Sequence, residues 1–432
     1  MAIPRLTPDH TSGDEVEAGP LRLSMAWRGA DRTAYGFLFV GGLGVAGTMA
    51  GLLGATSAAT YAASGSGGLT TGIFLSLMLA TSAIASLNVS RLTFRWGRAR
   101  VFAMAQIGIC VAWSVVGVIE TLTDSSLVVL YVAAPIFGAL SGLTAVLTPF
   151  VARSYLDSAS LSTSLARRGV VSGVAAILGA SLGGFLIRET DPGVGILANG
   201  LLTIPLAVFV SRCSPRETHE PAQRKRNSAR DMWSAVRTNP QLRQVALLTI
   251  VGVILVTPIF NLLVPILNDV DHDPLPSGAG LMLAGTAAGR ILVPGIMKRL
   301  LRRTTEFSAA LWALVSASAF MIAFAVSTLF LDPPIDLVIW TVIGIGLGAS
   351  RFTFRPLLIS VGARSDGGGD ELIGVAALAV IASVASPIGT LLWGVSLDFV
   401  GATITIALAA MATIGAVAIL AVRARMTPRP SQ

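Results

Sequence analysis

The chain has 432 residues, 53% hydrophobic and only 12% charged, with a formal net charge of +8. Soluble domains carry about 25% charged residues; half that density cannot cover a water-facing surface, so the composition excludes a soluble globular protein and points to a chain dissolved in lipid. The positive balance does not make a nucleic-acid binder, because the basic residues lie in short loops between apolar runs and form no separate basic domain.

In chain order, a polar segment comes first, holding Asp9, Asp14, Glu15, Glu17 and Asp31. The apolar run after it is too long for the core of a signal peptide, so no cleavable leader is expected. A bilayer needs about 20 apolar residues per helix. Twelve runs meet that requirement, at 35–62, 70–90, 101–119, 127–151, 169–187, 194–211, 243–268, 275–297, 307–330, 335–361, 372–397 and 401–422. The longest polar gap, 212–242, lies in the middle. The expected organisation is an N-terminal tail (1–34), a six-helix bundle (35–211), a central loop (212–242), a second six-helix bundle (243–422) and a tail (423–432). Cys110 lies in an apolar run and Cys213 in a basic loop, so no disulfide framework is expected.

Charge supports the count. Every Lys and Arg except Arg188, Arg290, Arg351 and Arg355 falls in the two tails, the central gap with Arg243 at its edge, or the other even-numbered loops, Arg167 and Arg168 among them in the fourth. The odd-numbered loops hold Glu120, Asp124, Glu189, Asp191, Asp269, Asp271, Asp273, Asp332, Asp336 and Asp398. By the positive-inside rule both termini and the central loop are cytoplasmic, in a cell (plasma) membrane.

The fifth run contains Gly179-Ala180-Ser181-Leu182-Gly183-Gly184, which fits the G-x-S-x-G spacing of a hydrolase nucleophile. Such a serine needs a base within reach, yet His10, His219 and His272 all fall in loops. The favoured reading is helix packing through Gly179, Gly183 and Gly184, because small residues let backbones approach where lipid supplies no hydrophobic drive; an intramembrane serine hydrolase is the alternative. Prolines inside spans, including Pro258, Pro265 and Pro387, are candidate hinges.

Three arginines interrupt the spans. Arg351 lies near mid-bilayer, Arg355 one turn further at i+4, and Arg290 well inside the eighth span. An arginine at a helix centre costs about 2.5–3.5 kcal/mol on insertion scales and faces the bundle interior or a water-filled cavity. No acid lies deep in a span to pair with them, so helix carbonyls, water or an anionic substrate must compensate; Arg290 and Arg355 alternatively snorkel to the cytoplasmic face. Asn261, between Pro258 and Pro265, is a cavity residue or an interhelical packing group. Glu120 and Asp398 lie at outer span ends and Asp157 on the inner side; with no titratable acid inside a span, proton coupling is either absent, or uses one of these rim acids, or rides on the substrate's own charge. Asp269-x-Asp271-x-Asp273 resembles the start of a calcium loop, but Pro274 stands where that loop needs glycine, so no metal site is expected.

Around these features, local motifs resemble the major facilitator superfamily. The loop after the second span, Ser90-x3-Phe94-Arg95-Trp96-Gly97-Arg98-Ala99-Arg100, keeps Arg95, Gly97 and Arg100 of that family's cytoplasmic gating loop but has Phe94 in place of its acid; Gly289, Lys298 and Arg299 fit the same template after the eighth span. GASLGG is similar to the G-P-x-x-G-G element of drug/proton antiporters, with a partial echo at Ser386-Pro387-Ile388-Gly389. The resemblance implies an all-α membrane fold of twelve helices in two pseudo-symmetric six-helix bundles. It further implies a monomeric, non-enzymatic secondary transporter without cofactor, working by alternating access and exporting a small amphipathic or anionic organic molecule. Import or uniport of an organic anion is the alternative within the class.

Overall fold

The computed structural model describes residues 32–63, 67–123, 127–156, 161–213, 229–271, 276–330, 335–364 and 371–426. The three histidines, Asp157 and Asp273 lie outside these. Within them, twelve helices are long and apolar enough to cross a membrane. In the N-terminal half they are α1 (Arg32–Tyr61), α2 (Gly68–Trp96), α3 (Arg98–Leu122), α4 (Leu127–Leu156), α5 (Leu161–Glu189) and α6 (Pro192–Arg212). In lipid only a helix or a closed barrel satisfies every backbone polar group internally, which turns each apolar run into a helix.

The central gap is not all loop. Residues 229–238 form the short helix α7 (Ala229–Thr238), with Val236 buried and Trp233 exposed, and the next helix, α8 (Pro240–Val251), starts inside the expected loop. The Asn239 side chain accepts from the backbone N–H groups of Gln241 and Leu242, at 2.9 and 3.2 Å, and Pro240 supplies the first helical residue. This is a normal helix start, in which a capping side chain serves otherwise orphaned donors.

The seventh span, expected as one helix, is broken. After α8 comes a π-helical turn (Gly252–Val256), then α9 (Pro258–Asn261) and α10 (Leu263–Asp271). Pro258 and Pro265 cause the break: each lacks an N–H and its ring crowds the preceding turn. Thr257 N–H reaches back five residues to the Gly252 carbonyl at 3.0 Å, which closes the wider turn. The remaining helices are α11 (Pro276–Leu301), α12 (Glu306–Phe330), α13 (Ile335–Arg364), α14 (Glu371–Val400) and α15 (Ala402–Met426). Helix α14 runs unbroken through the candidate hinge Pro387.

The halves repeat one packing device. Gly138 and Gly142 of α4 lie on the Met78 and Ser82 carbonyls of α2, and Gly344 and Gly348 of α13 lie on the Met282 and Thr286 carbonyls of α11. A Cβ at any of the four would collide with backbone. Each half therefore joins its second and fourth spans by the same small-residue step. Aromatic pairs fill the cores on either side, with Trp113 stacked on Phe137 at 3.9 Å and Phe324 edge-on to Trp340 at 5.6 Å.

The halves meet along a seam formed mainly by α2 against α14 and α5 against α11. Near the end that carries Glu120, Asp191 and Asp398 the seam is tight. Asp398 on α14 accepts from the N–H groups of Gly68 and Leu69 at the start of α2, at 3.0 and 3.1 Å. Gly72 packs on Gly394, Ser76 donates to the Pro387 carbonyl at 2.8 Å, and Gly280 sits against Ala180 and Gly184. Towards the end that carries Arg95, Arg100, Lys298 and Arg299, a Cβ at Gly97, Gly169 or Gly295 would meet nothing within 4 Å.

Candidate functional site

The site is built from α13, α11, α9 and α5. Helix α13 is anchored by Ser350, buried and hydrogen-bonded to Ser316 of α12 at 2.6 Å. The next residue, Arg351, is half-buried with its guanidinium carbon 4.5 Å from the Phe260 ring centre and 5.9 Å from that of Phe352. Phe260 belongs to α9, so the break in the seventh span supplies one wall. Arg290 reaches the same Phe352 ring from α11, at 5.1 Å. Arg355 is exposed, one turn beyond Arg351 and close enough for the two like charges to repel.

A fourth cation joins them from the other half. Gly280 against Ala180 and Gly184, with Gly173 against Ile291, sets the antiparallel register of α5 and α11. That register brings Arg168 within a turn of Arg290, where the two charges repel. Arg168 also lines a small recess with Phe37, Leu38 and Gly41 of α1. Its expected place was a cytoplasmic loop; it stands inside α5, because the helix begins at Leu161.

Among the described residues none of Arg168, Arg290, Arg351 and Arg355 forms an ion pair with an acid; the pair Arg188–Glu189, at 4.0 Å, is exposed and elsewhere. Stacking over an aromatic face contributes roughly 1–2 kcal/mol when desolvated. Two such faces can offset most of the cost of inserting Arg351, but they supply no countercharge for four cations. Arg290, Arg351 and Arg355 thus come together, and Arg168, Phe260 and Phe352 complete the group.

Asn261 is placed differently. Its amide donates to the hydroxyl of fully buried Thr390 on α14 at 3.4 Å, tying the break in the seventh span to its neighbour. Of the gating-loop residues, Gly97 has φ +80° and links α2 to α3 with almost no intervening chain, a backbone shape that favours glycine. Arg95 and Arg100 flank it, exposed. Lys298 and Arg299 are exposed in the last turns of α11, whereas Gly289 lies deep in that helix against Ile345 and Ala349 of α13, so it belongs to no loop. Gly179 and Gly183 lie on Ala46 and Ala50 of α1, and Gly184 faces Gly280. Asp269 accepts from Ala402 N–H at 2.7 Å and so caps α15. Among the described residues no group of acids, cysteines or histidines is arranged to hold a metal.

Twelve membrane-length helices in two halves packed alike, with a polar group on the seam between them, define a two-domain membrane transporter. The sequence profile of the Major Facilitator Superfamily matches residues 38–367, and the chain belongs to that family. No functionally curated protein matches it in sequence. Among solved structures it is similar to a mutant of the nucleoside transporter NupG, at a TM-score of 0.69 and 13% identity over 91% of this chain and all of that one. The unmutated NupG structure gives 0.67 and 12% over 92% of this chain and 100% of that one. A bacterial metal transporter gives 0.62 and 14% over 91% of this chain and 98% of that one. At these identities the likeness is one of fold.

Proposed function

We propose that this transporter moves a small amphipathic organic anion by alternating access, with the substrate's negative charge serving as counter-ion to the arginine group. The carrying observation is that cluster: four guanidinium groups gathered from α5, α11 and α13, two of them stacked on phenylalanines, with no acidic partner among the described residues. At an effective dielectric of about 20, an anion 4 Å from one guanidinium gains on the order of 4 kcal/mol. The phenylalanine faces suit the apolar body of such a molecule.

In this reading the basic end faces the cytoplasm, as the positive-inside rule assigns it, and the structure is the inward-open state. The direction is export, supported by the antiporter-like GASLGG element. Rocking closes the basic end and parts the contacts around Asp398, Gly72 and Gly280. The residues of the loops after the second and eighth spans, Arg95, Arg100, Lys298 and Arg299, would approach one another in that closure. The plasma membrane is the proposed location and a monomer the working unit.

The test is flux of labelled benzoate in proteoliposomes, with and without a pH gradient, for wild type and Arg351→Ala. The expected result is saturable flux in wild type, outward relative to the cytoplasmic face, falling at least about tenfold in the variant (roughly 1.4 kcal/mol). Equal flux in the two proteins would overturn the assignment of Arg351 to the substrate. Flux driven only towards the cytoplasmic face would make the protein an importer.

A further inference from the structure

Resting on that anion reading, we infer that the substrate is a dianion, its second charge held by an Arg168–Arg290 pair that straddles the two halves. The argument starts from how the four cations are divided. Arg351 and Arg355 come from one helix and lie on the same half of the protein. Arg290 and Arg351 share the ring of Phe352, with the two guanidinium carbons 5.1 and 5.9 Å from one centroid and so no more than 11.0 Å apart. This spacing lets one small molecule with two anionic groups reach both guanidiniums. A single carboxylate has room for one bidentate guanidinium partner at a time and leaves the other cations uncompensated.

Arg168 decides where the second charge goes. It stands on α5 of the N-terminal half, within a turn of Arg290 on α11 of the C-terminal half, and the two repel. Arg290 stands at the contact of Gly173 with Ala287 and Ile291, and Arg168 lies about one turn nearer the basic end. An anion between them replaces a repulsion across the seam with a bridge between the halves. A monoanion seated on Arg351 leaves that repulsion in place. Arg168 is thus a specificity-determining residue contributed by the half that holds none of the other three arginines.

The experiment compares benzoate with terephthalate, the same ring with one or two carboxylates, by their effect on the unfolding temperature of the detergent-purified protein. In wild type, terephthalate is expected to stabilise at a concentration about tenfold or more below that of benzoate. Arg168→Gln should erase that preference, Arg168→Lys should retain part of it, and Arg188→Gln, which removes a distant exposed cation, should keep it whole. Equal potency of the two ligands in wild type, or an undiminished preference in Arg168→Gln, would overturn the dianion inference. Should neither ligand stabilise wild type, the anion reading beneath it fails instead. If Arg168→Gln does not fold, Arg168→Lys decides: a preference unchanged from wild type in both Arg168→Lys and Arg188→Gln counts against a geometric role for the guanidinium.

Discussion

The two ends of the seam between the halves are built from opposite materials. At the acidic end the halves touch backbone to backbone: Gly72 on Gly394, Gly280 on Ala180 and Gly184, and one carboxylate, Asp398, capping the start of α2. Towards the basic end four guanidiniums gather on α5, α11 and α13, two of them, Arg290 and Arg351, stacked on rings, with like charges repelling within the pairs Arg168–Arg290 and Arg351–Arg355. One contact is short-ranged and self-sufficient; the other is incomplete until something negative arrives. In the proposed alternating-access reading this asymmetry matters, because a ligand shifts an equilibrium only through its differential affinity for the two states: closure at the acidic end would need no ligand, while closure at the basic end would.

Breaking the tight end should have the largest effect. In Gly280→Leu the new side chain meets the backbone of Ala180 and Gly184, and such overpacking costs about 1–3 kcal/mol or more. The expected outcome is a clear fall in unfolding temperature. The thiol of a Ser76→Cys reporter, in a background lacking Cys110 and Cys213, should also become reactive to a membrane-impermeant reagent applied from the acidic side. An unchanged melting curve and a protected thiol would show that the glycine contact carries no weight. A smaller effect is expected from Asp398→Asn. Two backbone N–H groups lose a charged acceptor, while an amide oxygen can still receive one of them. A loss of about 1–2 kcal/mol corresponds to roughly a tenfold shift towards the state open at the acidic end, read by the same thiol. Labelling no faster than in wild type would mean that Asp398 does not hold that end shut.

Much of this was legible in the chain. Twelve spans could be read because lipid forces about 20 apolar residues per helix, and loop charge alternated with them. Arg290, Arg351 and Arg355 stood out because a cation inside an apolar run is costly, although snorkelling was the alternative for Arg290 and Arg355. Arg168 did not, since it follows Arg167 at a loop edge and only the early start of α5 at Leu161 brings it into the bundle. Phe260 and Phe352 left no mark in an apolar background. The π turn at Gly252–Val256 is a run of apolar residues with no distinguishing pattern, although Pro258 was visible as a candidate hinge. Asp398 was visible as a rim acid, but its partners are backbone N–H groups some 330 residues away, which no motif records. Asn261 was open to two readings, and its partner Thr390 lies on another helix, so only the folded chain shows the bond.

The claim beneath the functional reading is that the arginine group lacks a countercharge which the substrate supplies. Phe352→Glu tests it within one molecule, by placing a carboxylate within reach of Arg290 and Arg351, each of which now stacks on the ring. The account predicts a higher unfolding temperature than wild type together with loss of benzoate flux, because an internal anion satisfies the cations and occupies the substrate's place. A lower unfolding temperature with flux preserved would contradict it.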